Sequence, residues 1–178
     1  MKLLRTIRLD RSDTFVFERA AEQGEWAVSG AFVFWNSDPS MLNGRERTAF
    51  RSGFLGLSSL GWSTLVQIVD AGDGDRAAAV DLLARQLYEH FGAPNIEKAR
   101  EAAEEEVAFA ESLAEHDKDT LIAVHRSVEE GDIRETFRTL RPRAGAAPAR
   151  AFSFIEVEGD SEPGEDIDLV GLAGQERK

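Results

Sequence analysis

The sequence predicts an α+β protein: a mainly antiparallel sheet with two long amphipathic helices packed on one face. Three observations carry this. Short stretches of period-two apolar alternation recur toward both ends of the chain, as half-buried strands require. Two consecutive central segments place apolar residues at helical spacing. The repeated strand–helix alternation of a doubly wound fold is absent, so a parallel sheet is not expected.

Residues 2–9, where Leu3, Arg5 and Ile7 alternate with their neighbours, read as a first strand. Residues 14–19, with Phe15 and Phe17 at period two, read as a second. Residues 25–35 read as a third, bent or bulged at Gly30. Asn36-Ser37-Asp38-Pro39-Ser40 is loop chemistry, and residues 45–51 form a short helix ending before Gly53. The glycine-punctuated run from 53 to 62 has two readings. Phe54, Leu55, Leu57, Leu60 and Trp62 either plug the core or form an apolar pocket wall or docking surface. Residues 64–69 are the most strand-like run in the chain.

Asp75 is the expected cap of the first long helix, by accepting amide hydrogen bonds. Val80, Leu83, Ala84, Leu87 and Phe91 make its apolar face, and Gly92 and Pro94 end it. Asn95 caps the second, with Ile96, Ala99, Ala103, Val107, Ala110 and Leu113 as its stripe. Its opposite face, Glu97, Glu101, Glu104, Glu105, Glu111 and Glu115, is expected to be solvated. In residues 120–128, Ile122, Val124 and Val128 alternate with Ala123, His125 and Ser127, the pattern of a strand. Glu129-Glu130-Gly131 then supplies a three-residue turn. Residues 132–141 admit two readings. Ile133, Phe137 and Leu140 have helical spacing, with Asp132 and Glu135 as a capping box, whereas Thr136, Phe137, Thr139 and the turn favour a hairpin. Residues 142–148 are a linker and 152–157 a last strand. The domain is therefore residues 1–157, followed by an acidic and partly mobile tail over 158–178.

The chain has 178 residues, with 33 acidic against 21 basic side chains and a net charge of −12. This balance argues against nucleic acid as a partner, because phosphate binding needs basic stripes. No cysteine is present, which removes disulfides, thiolate nucleophiles and cysteine-based metal sites. No apolar run approaches the roughly 18–20 residues that cross a bilayer, and Arg5 and Arg8 interrupt what would be a signal peptide's apolar stretch. A soluble cytoplasmic protein without membrane association is expected. Only four of the 21 basic residues are lysine and alanine is abundant, which suggests a GC-rich bacterial genome.

The chemistry-bearing patterns are few. The three histidines, His90, His116 and His125, contain no pair at helical ligand spacing, so no metal is expected. Gly72-Asp73-Gly74 lies where a phosphate loop would, but Asp73 and Asp75 would repel phosphate. Gly56-Leu57-Ser58-Ser59-Leu60-Gly61 misplaces the second glycine of a nucleophile elbow. Arg126, Arg134, Arg138, Arg141, Arg143 and Arg150 concentrate guanidinium groups that suit carboxylates or phosphates, or else form a solvated face. No catalytic residue and no cofactor is expected. The candidate ligand- or partner-binding residues are Trp35, Phe54, Trp62, Arg134 and Arg138. A non-enzymatic cytoplasmic accessory or protein-interaction module is the first functional reading. An anion-binding protein or small enzyme with an aromatic and arginine pocket is the second. Oligomeric state is left open.

Three segments carry a resemblance: Gly24-Glu25-Trp26-Ala27-Val28-Ser29-Gly30-Ala31-Phe32, Gly53-Phe54-Leu55-Gly56, and Arg134-Glu135-Thr136-Phe137-Arg138-Thr139-Leu140. In this order they are similar to an uncharacterised bacterial family that has no functional name. The resemblance covers most of the chain and implies a cytoplasmic accessory role. None of the segments is a catalytic motif, so it carries over no functional residues.

Overall fold

The computed structural model describes residues 1–142 and 155–158. Its elements are, in chain order, β1 (Lys2–Ile7), α1 (Asp13–Val16), β2 (Trp26–Val28), α2 (Gly44–Ser52), β3 (Phe54–Gly56), β4 (Trp62–Ser63), β5 (Leu65–Asp70), α3 (Asp73–His90), α4 (Ile96–Leu113), β6 (Leu121–Glu129), β7 (Asp132–Pro142) and β8 (Ile155–Glu158). The strands form one sheet in the order β4-β3-β2-β1-β5-β6-β7-β8, antiparallel at every pairing. The helices α3 and α4 pack on each other, and α4 lies on β1 and β2. The fold is α+β, as the sequence predicts. The expected tail from residue 159 onward lies outside the described residues.

The core follows the period-two pattern. Leu4, Val66, Ile68 and Ile122 are at most 1% exposed. They lie on one face, because Leu4 pairs with Ile68 and Val66 with Ile122 across the ladder. Val80, Leu83, Ala99, Ala103 and Val107 from the two helices close over them. The stripes stop short of the helix ends, where Phe91 and Ile96 remain partly exposed. Asn95 accepts the Lys98 amide at 2.8 Å as the expected cap. Asp75 is not the cap of α3, which begins at Asp73; its carboxylate instead reaches back to the Gly72 amide at 2.9 Å. Two of the acids expected in solvent, Glu104 and Glu111, hold Arg76 of α3 at 2.8 and 3.2 Å and so tie the helices together.

Three local expectations are corrected. Residues 14–19 are not a strand: Asp13–Val16 makes one helical turn, leaving Phe15 exposed and Phe17 buried. The reason is Asp13, whose buried carboxylate accepts the Thr64 amide at 3.2 Å and the Thr64 hydroxyl at 2.5 Å. Residues 25–35 are a strand only to Val28. Gly30 takes a left-handed φ of 82° and a 3-10 turn follows over Ala31–Phe34, which buries Phe34 and leaves Trp35 outside. The turn joining β6 and β7 has two residues, not three. Glu129 pairs with Asp132, and Glu130 and Gly131 both have positive φ, 52° and 86°, the backbone of a type I′ turn. Residues 132–141 are thus strand.

The sheet is strongly curled. Four strands separate β3 from β7, so five spacings of about 4.8 Å would hold them roughly 24 Å apart in a flat sheet. The Phe54 and Phe137 rings instead meet at 6.1 Å between centroids. Strand β6 also contacts α2, which lies between β2 and β3 in the chain. Curling brings these distant segments to one place.

Candidate functional site

Two constellations stand out, one buried and one exposed. The buried one centres on Arg126, whose side chain is 0% exposed. It occupies the apolar face of β6 next to Val124, opposite Glu135 in the β6–β7 register. Its Nε donates to the Glu135 carboxylate at 3.0 Å. Its Nη1 donates to the carbonyls of Phe50 at 3.0 Å and Gly53 at 2.7 Å, where α2 ends. Its Nη2 donates to the Ser29 carbonyl and, at 3.1 Å, to the Ser29 hydroxyl, which in turn donates to Glu135. A helix C-terminus presents unpaired carbonyls that favour a cation, and the planar fork reaches three segments at once. Burial lowers the pKa of Arg126, opposed by Glu135 and Glu106; a guanidinium remains charged regardless.

Glu106 on α4 faces this pair. Burial, reinforced by the negative charge of Glu135 and opposed by Arg126, pushes its carboxyl up to about 7. The Arg126 guanidinium therefore shares the interior with its partner Glu135 and with a second carboxyl that titrates near neutrality. Every donor nitrogen of Arg126 is engaged by the protein itself, so its guanidinium is a structural tie with no donor presented to solvent.

The exposed constellation is aromatic. Trp35 is 68% exposed and meets Phe32 edge-on at 6.4 Å. Phe32 meets Phe91, at the end of α3, edge-on at 5.4 Å. Tyr88, one turn before Phe91 on α3, is 52% exposed. Gly30 makes this surface possible: its left-handed backbone starts the turn carrying Phe32, and a Cβ there would lie 2.7 Å from that of Leu55.

The five residues singled out from sequence do not converge. Trp35 is in the exposed patch. Phe54 is fully buried and therefore unavailable to a partner, packed against Phe137. Trp62 is half-buried and stacks on Phe34 at 5.3 Å in an inner cluster with Phe17 and Phe50. Arg134 and Arg138 share a face of β7, as strand periodicity places them, and Arg134 is held by Glu129 at 2.9 Å. Sequence reasoning placed Arg126 in an arginine cluster and Glu135 in a possible capping box without joining them, and passed over Glu106. The signal was present: Arg126 interrupts the Ile122, Val124, Val128 stripe, and Glu106 lies beside Ala103 and Ala110 on the inner side of α4.

A shallow groove of about 430 Å³ lies between α3 and α4, lined by Asp81, Ala84, Arg85, Ile96 and Arg100. Arg100 and Asp81 pair within it at 2.6 Å. A slit beneath α4 holds only about 10 Å³ among apolar side chains, too small for a ligand. Among the described residues no cluster of three metal-ligating side chains occurs, and no helix is long and apolar enough to cross a membrane.

Residues 1–153 match a protein family described as a family of unknown function, DUF6505. The chain belongs to this family. The match spans all three segments that carried the resemblance to an uncharacterised family. No curated protein matches the chain, and no solved structure does. Of the two constellations, the aromatic patch is the one exposed to solvent.

Proposed function

We propose that this DUF6505 protein is a non-enzymatic accessory module of the bacterial cytoplasm that binds a partner protein through Phe32, Trp35, Phe91 and Tyr88. The observation that carries this reading is the exposure of Trp35 in edge-on contact with Phe32 and through it with Phe91. Aromatic side chains, tryptophan above all, dominate binding energy at protein interfaces because they bury a large area at small entropic cost. Here they come from two elements that the core already holds in place, so the surface is preorganised. The polar groups that a small-molecule site would need are used internally around Arg126, which favours a contact surface over a pocket. The lysine-poor, alanine-rich composition supports a bacterial source.

The test compares the wild type with Trp35→Ser as bait at native expression. Any protein retained by the wild type is then purified for direct titration. The substitution is expected to leave the melting temperature unchanged and to weaken a genuine partner by about 30-fold or more, the scale of a hot-spot residue. A partner that binds both forms equally, or an identical retained set, overturns the assignment.

A further inference from the structure

The second surface of interest is α2. Arg45, Arg47 and Arg51 are all exposed, and Arg47 and Arg51 sit one turn apart on its outer side. Like charges at that spacing repel. The helix has one acid, Glu46, and its carboxylate is used to accept the Asn43 amide at 3.0 Å in a capping box. The guanidinium of Arg47 donates to the Leu42 carbonyl at 3.1 Å, and among the described residues no carboxylate pairs with any of the three arginines. Met41, just before the helix, is 81% exposed. The surface is cationic with an apolar edge, and no described carboxylate balances its charge.

The chain itself holds a complementary segment. Residues 165–172 read Glu-Asp-Ile-Asp-Leu-Val-Gly-Leu, three acids interleaved with four apolar side chains. The topology leaves it within reach of α2. Strand β8 runs antiparallel to β7 and ends with Glu158 opposite Thr139, heading toward Ile133. Ile133 packs against the cluster that contains Ala49 and Phe50 on the inner side of α2. From Thr139 to Ile133 is six residues, about 20 Å at the rise of a strand. Residues 159–164 are also six, enough to span that distance when extended.

We infer that residues 165–172 of this chain dock on the outer face of α2, acids against Arg47 and Arg51 and apolar side chains toward Met41. This surface is separate from the aromatic patch and does not depend on the partner reading above. Its consequence is a self-occupied cationic face, which a competing acidic segment would have to displace.

The absence of cysteine makes the test clean. A nitroxide is attached to Gln175→Cys in the full-length chain, three residues past the docking segment. Relaxation enhancement is then read on the backbone amides. The expected result is loss of signal for residues 44–52, recovered on reduction of the label. The loss is expected to disappear in Arg47→Glu with Arg51→Glu, while sheet amide shifts confirm an intact fold. Unaffected α2 signals overturn the inference, as does broadening centred on Phe32, Trp35 and Phe91. Broadening seen only when label and isotope lie on different molecules also overturns it, in favour of a second copy. So does an α2 that ignores its own tail yet shifts on adding a free acidic peptide, which would mark it as a site for a foreign segment.

Discussion

The guanidinium of Arg126 donates to the carbonyl of Gly53 at 2.7 Å, although the two residues are 73 apart in sequence. This bond, with those to Phe50 and Ser29, joins the far strand β6 to the end of α2 and the exit of β2. It is possible only because the sheet curls, and it holds the curl in turn.

Removing that tie is expected to be expensive. Arg126→Met strands the carbonyls of Ser29, Phe50 and Gly53 and leaves Glu135 without its cation. Breaking one side of a buried pair destabilises by about 3–5 kcal/mol, readable in urea unfolding. Arg126→Lys should recover only part, since an ammonium cannot replace a planar fork that spans three segments. A loss below about 1 kcal/mol for Arg126→Met would show that the pair is energetically idle.

Glu106 makes stability depend on pH. Its carboxyl titrates near 7 in the folded chain against a reference of 4.5. Between those values the native state binds more protons than the unfolded one, so stability falls as pH rises through this window. It is greatest below 4.5 with respect to this group and fully reduced above 7. Glu106→Gln should flatten the decline and raise stability at pH 8 by roughly 1–3 kcal/mol, with no such gain at pH 5. Equal effects at both pH values would contradict the assignment.

Glycine substitutions should split by environment. A Cβ on Gly61 would stand 2.5 Å from the backbone carbonyl of Ala20, which pairs with β4 and cannot retreat. Gly61→Ala is expected to destabilise by about 1–3 kcal/mol. Gly74, in the first turn of α3, has nothing within 4 Å of a built Cβ. Gly74→Ala should therefore stabilise, by about 0.4–1 kcal/mol, through the unfolded chain. Thermal unfolding of the two variants side by side reads the difference in sign.

Phe54 and Leu57 are both fully buried. Truncating either to alanine is expected to lower stability by roughly 2–5 kcal/mol in chemical denaturation. The same change at Trp35, which solvent reaches, should leave the denaturation midpoint within experimental error. Comparable losses at all three positions would place Trp35 in the core.

Much of the architecture was legible because its signals are local. The apolar spacing of α3 and α4, the Asn95 cap and the alternation in β5 and β6 each depend on residues a few positions apart. The hairpin at 132–141 was legible through its turn, since Gly131 takes the left-handed backbone there. The segment at 14–19 misled because Asp13 spends its carboxylate on Thr64, fifty-one residues away. Local alternation of two phenylalanines cannot report such a partner.

The candidate sites divide in the same way. The sequence by itself determined an antiparallel α+β fold, its two long helices, its acidity and the absence of cysteine chemistry, because composition and short-range periodicity encode these directly. Only the tertiary structure decided that Arg126 is a buried tie and that Phe54 is core. It also decided that Trp35 is exposed beside Phe32, and that Arg134 pairs with Glu129. The Arg126 tie and the packing of Phe54 depend on the curl that brings β3 to β7 and α2 to β6. Curl is the accumulated result of packing over many strands, and no window of neighbouring residues contains it.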